Sequence, residues 1–582
     1  MKFVKNIKKA IRSLSVGFLR FPISLLLAYT IAGVLLVLNR DRELNGLTRD
    51  TLTRVGMACG LGIPLFLGIK LAFERKPVSI ALKAAVLILS GLAVIGYGIY
   101  MIPDFKMVPM IRYSLLAAAL VLCFITVPFF FRRQGFELYA TKLMLKLLIA
   151  VLYSGILMLS LFAILFTLDK LLGVNITEKS YIYTAILVWA AFAPTFFIAA
   201  IPPVEEEPVQ SNSPFTLRFL LIYILVPLIS IYALILYAYS ARILINMAWP
   251  KGMVTNLVLG FATVGILLMF LVTPVKGGNR VAELFTDWYP RAALPLFITL
   301  FSAIGVRVKD YGFTEPRYFA FILALWCFGA MVYYTFAKRK YLTVLPVSLA
   351  LVAILSVFGP ASAFSVSENS QEKRFDAILA RNGMLKEGHA VPAAKEISDT
   401  DKRNLISIMH YFENNYELSR LDSLPADFTP DKTTAVLGFD YYSAVKPQEM
   451  NYVSFYIDRN TETFSIKGYD YMIPLRNDTR EFVIPDNPEV RCKIENMVLD
   501  IYAKQEKVYS KNLGEVLKAL YNRYPSGERQ AVPIEELTFD SHLDSLDVRL
   551  ILTNIEGNLA DNLPDTTPSG YFDGYILLKT KE

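Results

Sequence analysis

"AALPLFITLFSAIGVRVKDYGFTEPRYF", residues 292–319, decides how this chain is threaded. Its first 15 residues, Ala292 to Val306, are uncharged and include Pro295; the next 11 carry five charges, Arg307, Lys309, Asp310, Glu315 and Arg317. A membrane-spanning helix needs about 17–25 predominantly apolar residues, so Ala292–Val306 is either a short span or a re-entrant piece. The expectation is a span, because Arg291 and Arg307 at its two ends can snorkel toward water across a thinned bilayer. Downstream, Gly312 supplies a turn, and Thr314-Glu315-Pro316 reads as a helix start: a hydroxyl cap, an acid in the first turn, and proline where no amide hydrogen is needed. Residues 306–319 are therefore expected to form an interfacial loop whose opposite charges pair. The alternative reading makes Arg307, Lys309, Asp310, Glu315 and Arg317 a binding site.

Apolar windows of spanning length fall near 21–38, 53–73, 80–100, 112–131, 147–167, 181–201, 219–240, 253–273, 318–337 and 341–358. With Ala292–Val306 they predict a polytopic α-helical membrane bundle of about 11 spans over residues 21–364. Mean hydropathy is +0.43, above that of a soluble protein. The first apolar stretch is full-length and runs straight into "NRDRE", so it reads as a span and not as a cleavable signal. A Pro-rich acidic stretch, "PPVEEEPVQSNSP" at 202–214, reads as an exposed linker after six spans. No sequence repeat relates the groups on its two sides.

Charge is distributed by region. Residues 1–364 hold 34 Lys/Arg and 15 Asp/Glu, whereas residues 365–582 hold 25 and 36, so a basic membrane half precedes an acidic soluble half. The surplus of positive charge flanks spans, where it sets topology, and it is no signature of nucleic-acid binding. Residues 1–20 place Lys2, Lys5, Lys8, Lys9 and Arg12 on one side of a helix and Phe3, Val4, Ile7, Ile11 and Leu14 on the other. This is an amphipathic surface anchor, with a regulatory target helix as the other reading. With that end in the cytoplasm, inside segments hold 21 Lys/Arg and outside segments 13, which puts the N-terminus inside. The totals stay the same if Ala292–Val306 does not cross, so the side of the C-terminal region rests on the span count; eleven spans make it external.

The span cores contain no Asp, Glu, His or Arg, which counts against proton- or sodium-coupled transport. Tyr153, Tyr223, Tyr232 and Tyr237 are expected to pack between helices or anchor at the interface. After the last span, Ala361 and Ala363 form an A-x-A pattern of the kind signal peptidase cuts, or else a small-residue exit from the bilayer.

Residues 365–425 read as a helical juxtamembrane segment, with apolar faces at Phe375, Ile378, Leu379, Leu385 and at Leu405, Ile408, Met409, Phe412. Residues 426–582 then read as a soluble, β-rich α+β domain. Strands are expected at Tyr452–Ile457, Thr463–Lys467, Arg480–Ile484, Arg491–Leu499, Val548–Ile555 and Gly570–Leu578, with one helix at 513–524. His389, His410 and His542 share no metal-ligand spacing, and the four cysteines build neither a disulfide framework nor a zinc ribbon, so no metal and no cofactor is expected. No nucleotide-loop, hydrolase or metalloprotease motif is present.

Taken together, "RVKDYGFTEPRYFAFILALW", "RFPISLLLAY", "WPKGMVTNLVLGF" and "FGPASAFSVSENSQEKR" resemble a family of bacterial membrane proteins, domain of unknown function 4153. The likeness spans most of residues 1–385 and implies a multi-pass protein of the bacterial inner membrane; it supplies no activity and no catalytic residue. Three function classes follow. The first is a non-catalytic cell-envelope protein whose bundle anchors an external domain that binds an envelope protein or cell-wall glycan. The second is a carrier or flippase for a lipid-linked or uncharged solute. The third is a polytopic lipid-sugar glycosyltransferase, which needs an external carboxylate near the first span; Asp41 and Glu43 occupy that place.

Overall fold

The computed structural model describes residues 17–581 except 41–44, 77, 131–134, 175, 204–217, 247–252, 277, 440, 442–451, 458–463, 477–480, 485–486, 496, 505, 525–529 and 559–569. The N-terminal amphipathic helix and the acidic linker fall largely outside these residues, and Asp41 and Glu43 fall wholly outside them. Two units form, Met1–Ala390 with Ser407–Phe428, and Val391–Ile406 with Thr429–Glu582.

Hydrocarbon offers no water to backbone amides, so the apolar stretches of the first unit satisfy themselves as helices. In chain order these are α1 (Pro22–Arg40), α2 (Gly46–Arg75), α3 (Ile80–Tyr100), α4 (Met107–Thr126), α5 (Phe136–Leu172), α6 (Glu178–Ala199) and α7 (Leu220–Ile243). There follow α8 (Met253–Val272), α9 (Arg280–Ala293), α10 (Leu296–Tyr311), α11 (Glu315–Phe336) and α12 (Val344–Leu355). Among the described residues ten segments are long and apolar enough to cross a membrane, with α9 and α10 counted as one. The eleventh expected span, 341–358, is a helix of only 12 residues, α12. It lies against α4 through Ala119, Ala350 and Ala353, small residues that let two backbones approach.

Helix α2 gives the distance between the two ends of the bundle. At one end Glu74 receives both Arg20 Nε (2.9 Å) and Arg20 Nη2 (2.7 Å), while Arg20 Nη1 donates to the Ile201 carbonyl at 2.6 Å. Twenty residues earlier, a helical rise of about 30 Å, Arg54 Nη2 donates to the Pro103 carbonyl at 2.6 Å. On that opposite end Arg112 Nε donates to the Val357 carbonyl at 3.3 Å, and Tyr318 Oη donates to the Ala361 carbonyl at 2.5 Å. Tyr318 belongs to the first turn of α11, so α12, though short, brings the chain back to the end where α11 began. The chain thus leaves its last apolar helix at the end of the bundle opposite Arg20.

The opening stretch is built differently from its sequence reading. Helix α10 continues past Val306 to Tyr311, so Arg307, Lys309 and Asp310 ride on a helix and only residues 312–314 form the turn. Thr314 makes no side-chain capping bond. Nor do the five charges pair with one another among the described residues. Arg317 Nη1 instead takes the carbonyls of Tyr311 (3.1 Å) and Gly312 (2.9 Å), which the end of α10 leaves without helical partners.

Helix α13 (Ala363–Arg381) starts at once after the last apolar segment, with Ser362 as its cap. Helix α14 (Asp399–Asn415) follows. In the second unit the strands are β1 (Tyr452–Ile457), β2 (Tyr471–Arg476), β3 (Glu481–Ile484), β4 (Asn487–Glu495) and β5 (Val498–Ala503). After these come β6 (Glu506–Asn512), helix α15 (Leu513–Arg523), β7 (Gln530–Val532), β8 (Thr538–His542), β9 (Leu546–Asn558) and β10 (Gly570–Thr580). One sheet runs β2-β10-β9-β1-β7 with β8 also on β9; the other is the antiparallel ladder β3-β4-β5-β6. Both sheets and α15 share one core, including Phe455, Cys492, Leu499, Leu517, Leu550 and Phe572.

Two strand expectations are corrected. Residues 464–466 are not a strand, and the strand lies instead at β2, where Pro474 is tolerated because β2 is an edge pairing only with β10. The expected strand Arg491–Leu499 is a hairpin broken at Met497, whose φ is 60°.

Gly574 sits where β9 shifts register, and a Cβ there would lie 2.2 Å from the Ile551 carbonyl oxygen. Gly574→Ala is expected to cost about 1–3 kcal/mol of stability, read as faster limited proteolysis of the C-terminal domain in the full-length protein. Burial pushes the Cys492 thiol up to about 12. Its maleimide labelling at pH 7 should be negligible until the domain is unfolded; rapid labelling of the folded protein contradicts this packing.

Candidate functional site

The turn between α10 and α11 is held by α13. Gly312 has φ 68°, and a Cβ there would meet Gln371 Nε2 at 2.9 Å and Ser370 Oγ at 3.1 Å. That space is needed because Gln371 Nε2 donates to the Tyr311 carbonyl (3.0 Å) and the Phe313 carbonyl (2.7 Å), while Ser370 Oγ accepts from Phe313 N (2.9 Å). Glycine is the residue that allows both the left-handed turn and the close approach.

Beyond the turn, Glu315 is 2% exposed. Its Oε1 accepts from Tyr411 Oη at 2.7 Å and from Tyr416 Oη. Two phenol donors offset part of the cost of removing a carboxylate from water. Burial, and then the neighbouring Glu315 charge, push both tyrosine hydroxyls far above their ordinary range, so they remain protonated donors. Glu315 and Arg317 are therefore turned inward as structural groups. Lys309 and Asp310 are exposed on the last turn of α10 and Arg307 is half-buried, so these three do not join them.

Tyr416 also lines a pocket of about 390 Å³ at the boundary between apolar and polar chain. Its walls come from the turn before α4 (Asp104, Lys106), the first turns of α4 (Arg112), the start of α13 (Phe364, Glu368) and the segment after α14 (Glu417, Arg420). Arg112 lies with its guanidinium carbon 5.0 Å from the centre of the Phe364 ring. Arg420 Nη1 reaches Glu368 Oε1 at 3.2 Å, and Lys106 Nζ lies 3.8 Å from Asp104 Oδ2. Sequence reading missed this site because its residues come from three separated segments. The one local signal was Arg112, a lone cation followed by Tyr113 at the start of an apolar helix.

The A-x-A pattern at Ala361 and Ala363 is folded into the same corner. Ala361 is exposed, but its carbonyl is taken by Tyr318; Ala363 is fully buried as the first residue of α13, and its N donates to the Ser356 carbonyl at 2.8 Å. Among the described residues no group of three His, Cys, Asp or Glu side chains is placed to hold a metal ion. His542 Nδ1 lies 2.9 Å from Asp547 Oδ1, which Lys581 Nζ also approaches at 2.7 Å.

Ten helical segments of spanning length among the described residues, followed by a strand-rich region, define a multi-pass membrane protein with a folded polar domain. The chain belongs to the family described as Domain of unknown function (DUF4153), whose model matches residues 23–396. It is also similar to the uncharacterized protein PM1469 of Pasteurella multocida (strain Pm70), with 21% identity over 276 residues covering 46% of each chain. The chain thus spans about half the length of that curated relative. No solved structure matches.

Tyr411→Phe and Tyr416→Phe should each destabilise the protein by about 1–3 kcal/mol, since each removes a donor from a buried carboxylate. The measurement is a thermal melt of the detergent-purified protein, and Glu315→Gln should reduce the penalty of both. Glu372 on α13 has its pKa raised by burial and then by Asp422 and Asp376. The folded state therefore favours the protonated acid; that contribution is full below the ordinary carboxylate pKa and is lost as pH rises through the raised value. Glu372→Gln should raise the melting temperature at pH 7 and leave it unchanged below about pH 4.

Proposed function

We propose that this protein is a non-catalytic envelope protein of the bacterial inner membrane, whose bundle anchors its β-rich domain on the external side for binding an envelope protein or a cell-wall glycan. The observation that carries the reading is the return of α12: Arg112 holds the Val357 carbonyl at the end of the bundle opposite the Arg20–Glu74 pair. The excess of Lys/Arg, 21 against 13, favours a cytoplasmic N-terminus, and the opposite end is then external. Chemistry in the second unit supports a binding role over catalysis. The Cys492 thiol is buried and kept protonated, and His542 is tied to an aspartate shared with Lys581.

The test is a pair of fusions after Glu582, one to a phosphatase active only outside and one to a fluorescent protein that matures only inside, both in intact bacteria. Active phosphatase with a dark fluorophore is the expected result. The reverse pattern overturns the reading and assigns the domain a cytoplasmic, regulatory role. The chain should also run at full length on a gel, because cleavage after Ala363 requires unwinding the capped start of α13.

A further inference from the structure

We propose that the pocket between the start of α4, the start of α13 and residues 415–420 binds the headgroup of a zwitterionic phospholipid, with its phosphate on Arg112 and Lys106 and its amine at Glu368, Glu417 and the Tyr416 ring. The volume, about 390 Å³, lies in the range of about 300–1,000 Å³ usual for small-ligand sites.

The phosphate end rests on Arg112. This guanidinium uses Nε on the Val357 carbonyl and stacks over Phe364, and among the described residues its two terminal nitrogens have no protein acceptor. A half-buried, stacked guanidinium with its planar fork unspent is suited to a phosphate. Lys106 stands nearby with only a loose, exposed partner, Asp104 at 3.8 Å, so its ammonium is available to a ligand.

The amine end follows from charge balance. Six charged side chains line the pocket, the cations Lys106, Arg112 and Arg420 and the anions Asp104, Glu368 and Glu417. Asp104 lies beside Lys106 and Arg420 is bonded to Glu368, so among the described residues Arg112 and Glu417 are the cation and the anion of the lining left without an ion-pair partner, and a ligand carrying both signs matches them better than a purely anionic one. The ring of Tyr416 adds a surface for an ammonium group.

The lipid source follows from what borders the pocket. Lys106 immediately precedes α4, and the adjoining chain presents Ile99 (59% exposed), Tyr100 (79%) and Phe105 (38%). A polar pocket opening beside exposed apolar surface fits an amphiphile, whose acyl chains lie along α3 while the head is held.

The experiment uses full-length protein in mild detergent, with retained lipid measured by native mass spectrometry after addition of dioleoyl phosphatidylethanolamine, dioleoyl phosphatidylglycerol or soluble phosphoethanolamine. Wild-type protein is expected to retain phosphatidylethanolamine at least fivefold over phosphatidylglycerol. Arg112→Gln should lower that retention at least tenfold, and Glu417→Gln should erase the preference between the two lipids. Equal or greater retention of phosphatidylglycerol by wild type overturns the zwitterionic assignment. Binding of soluble phosphoethanolamine as tight as that of the lipid overturns the lipid source. If Arg112→Gln does not fold, the exposed pair Lys106→Gln and Glu417→Gln carries the test, and unchanged retention in both reduces the bound lipid to the general annulus and overturns the proposal.

Discussion

The membrane half of this protein depends on one constraint, that ionised side chains stay out of hydrocarbon unless another group receives them. Its helices are therefore apolar along their middles, and the charges that fix their depth gather at the two ends of the bundle. Arg20 and Glu74 close one end with two parallel hydrogen bonds, the fork-to-carboxylate geometry that only arginine offers. Arg54 and Arg112 close the other end on backbone carbonyls. Because both ends of α2 are fixed in this way, the segments bonded near those ends can be placed against it. That is how α12, a helix of only 12 residues, is seen to end near the start of α11, at the end of the bundle away from Arg20.

The same constraint explains the opening stretch. Arg317 spends its donors on the carbonyl end of α10, and Glu315 is buried against two phenols. Both charges find partners within the protein, whereas in the neighbouring pocket Arg112 keeps part of its guanidinium without a protein acceptor among the described residues. Structural and ligand-ready charges thus sit side by side, distinguished by whether the protein itself supplies their partners.

How much of this could be read from residue order depends on the range of the forces involved. The apolar helices were legible because hydrocarbon imposes composition locally, and the turn at Gly312 because a left-handed φ selects glycine locally. The strands β1, β9 and β10 were legible from period-two alternation. Failures occurred where partners are distant. Thr314 has the sequence of a cap but makes no capping bond, and the turn before it is held through Phe313 N by Ser370, 57 residues away. The strand at 471–476 was misplaced upstream because its register comes from β10, about a hundred residues later, and its proline disguises it. Glu315 looked like a surface acid because its two phenol partners lie 96 and 101 residues downstream.

That last separation has a consequence for biogenesis. A ribosome adds about 5–20 residues per second, so when Glu315 emerges, Tyr411 and Tyr416 are still about 5–20 s from being made. During that interval neither of its two phenol donors exists, and a carboxylate without them is better accommodated by water than by a buried corner. Burial of Glu315 is then a late event of assembly, completed only when the polar segment after α14 has been synthesised and folded back. The chain thereby carries its own order of construction, with the threading of the last helices finished before the lock on them exists.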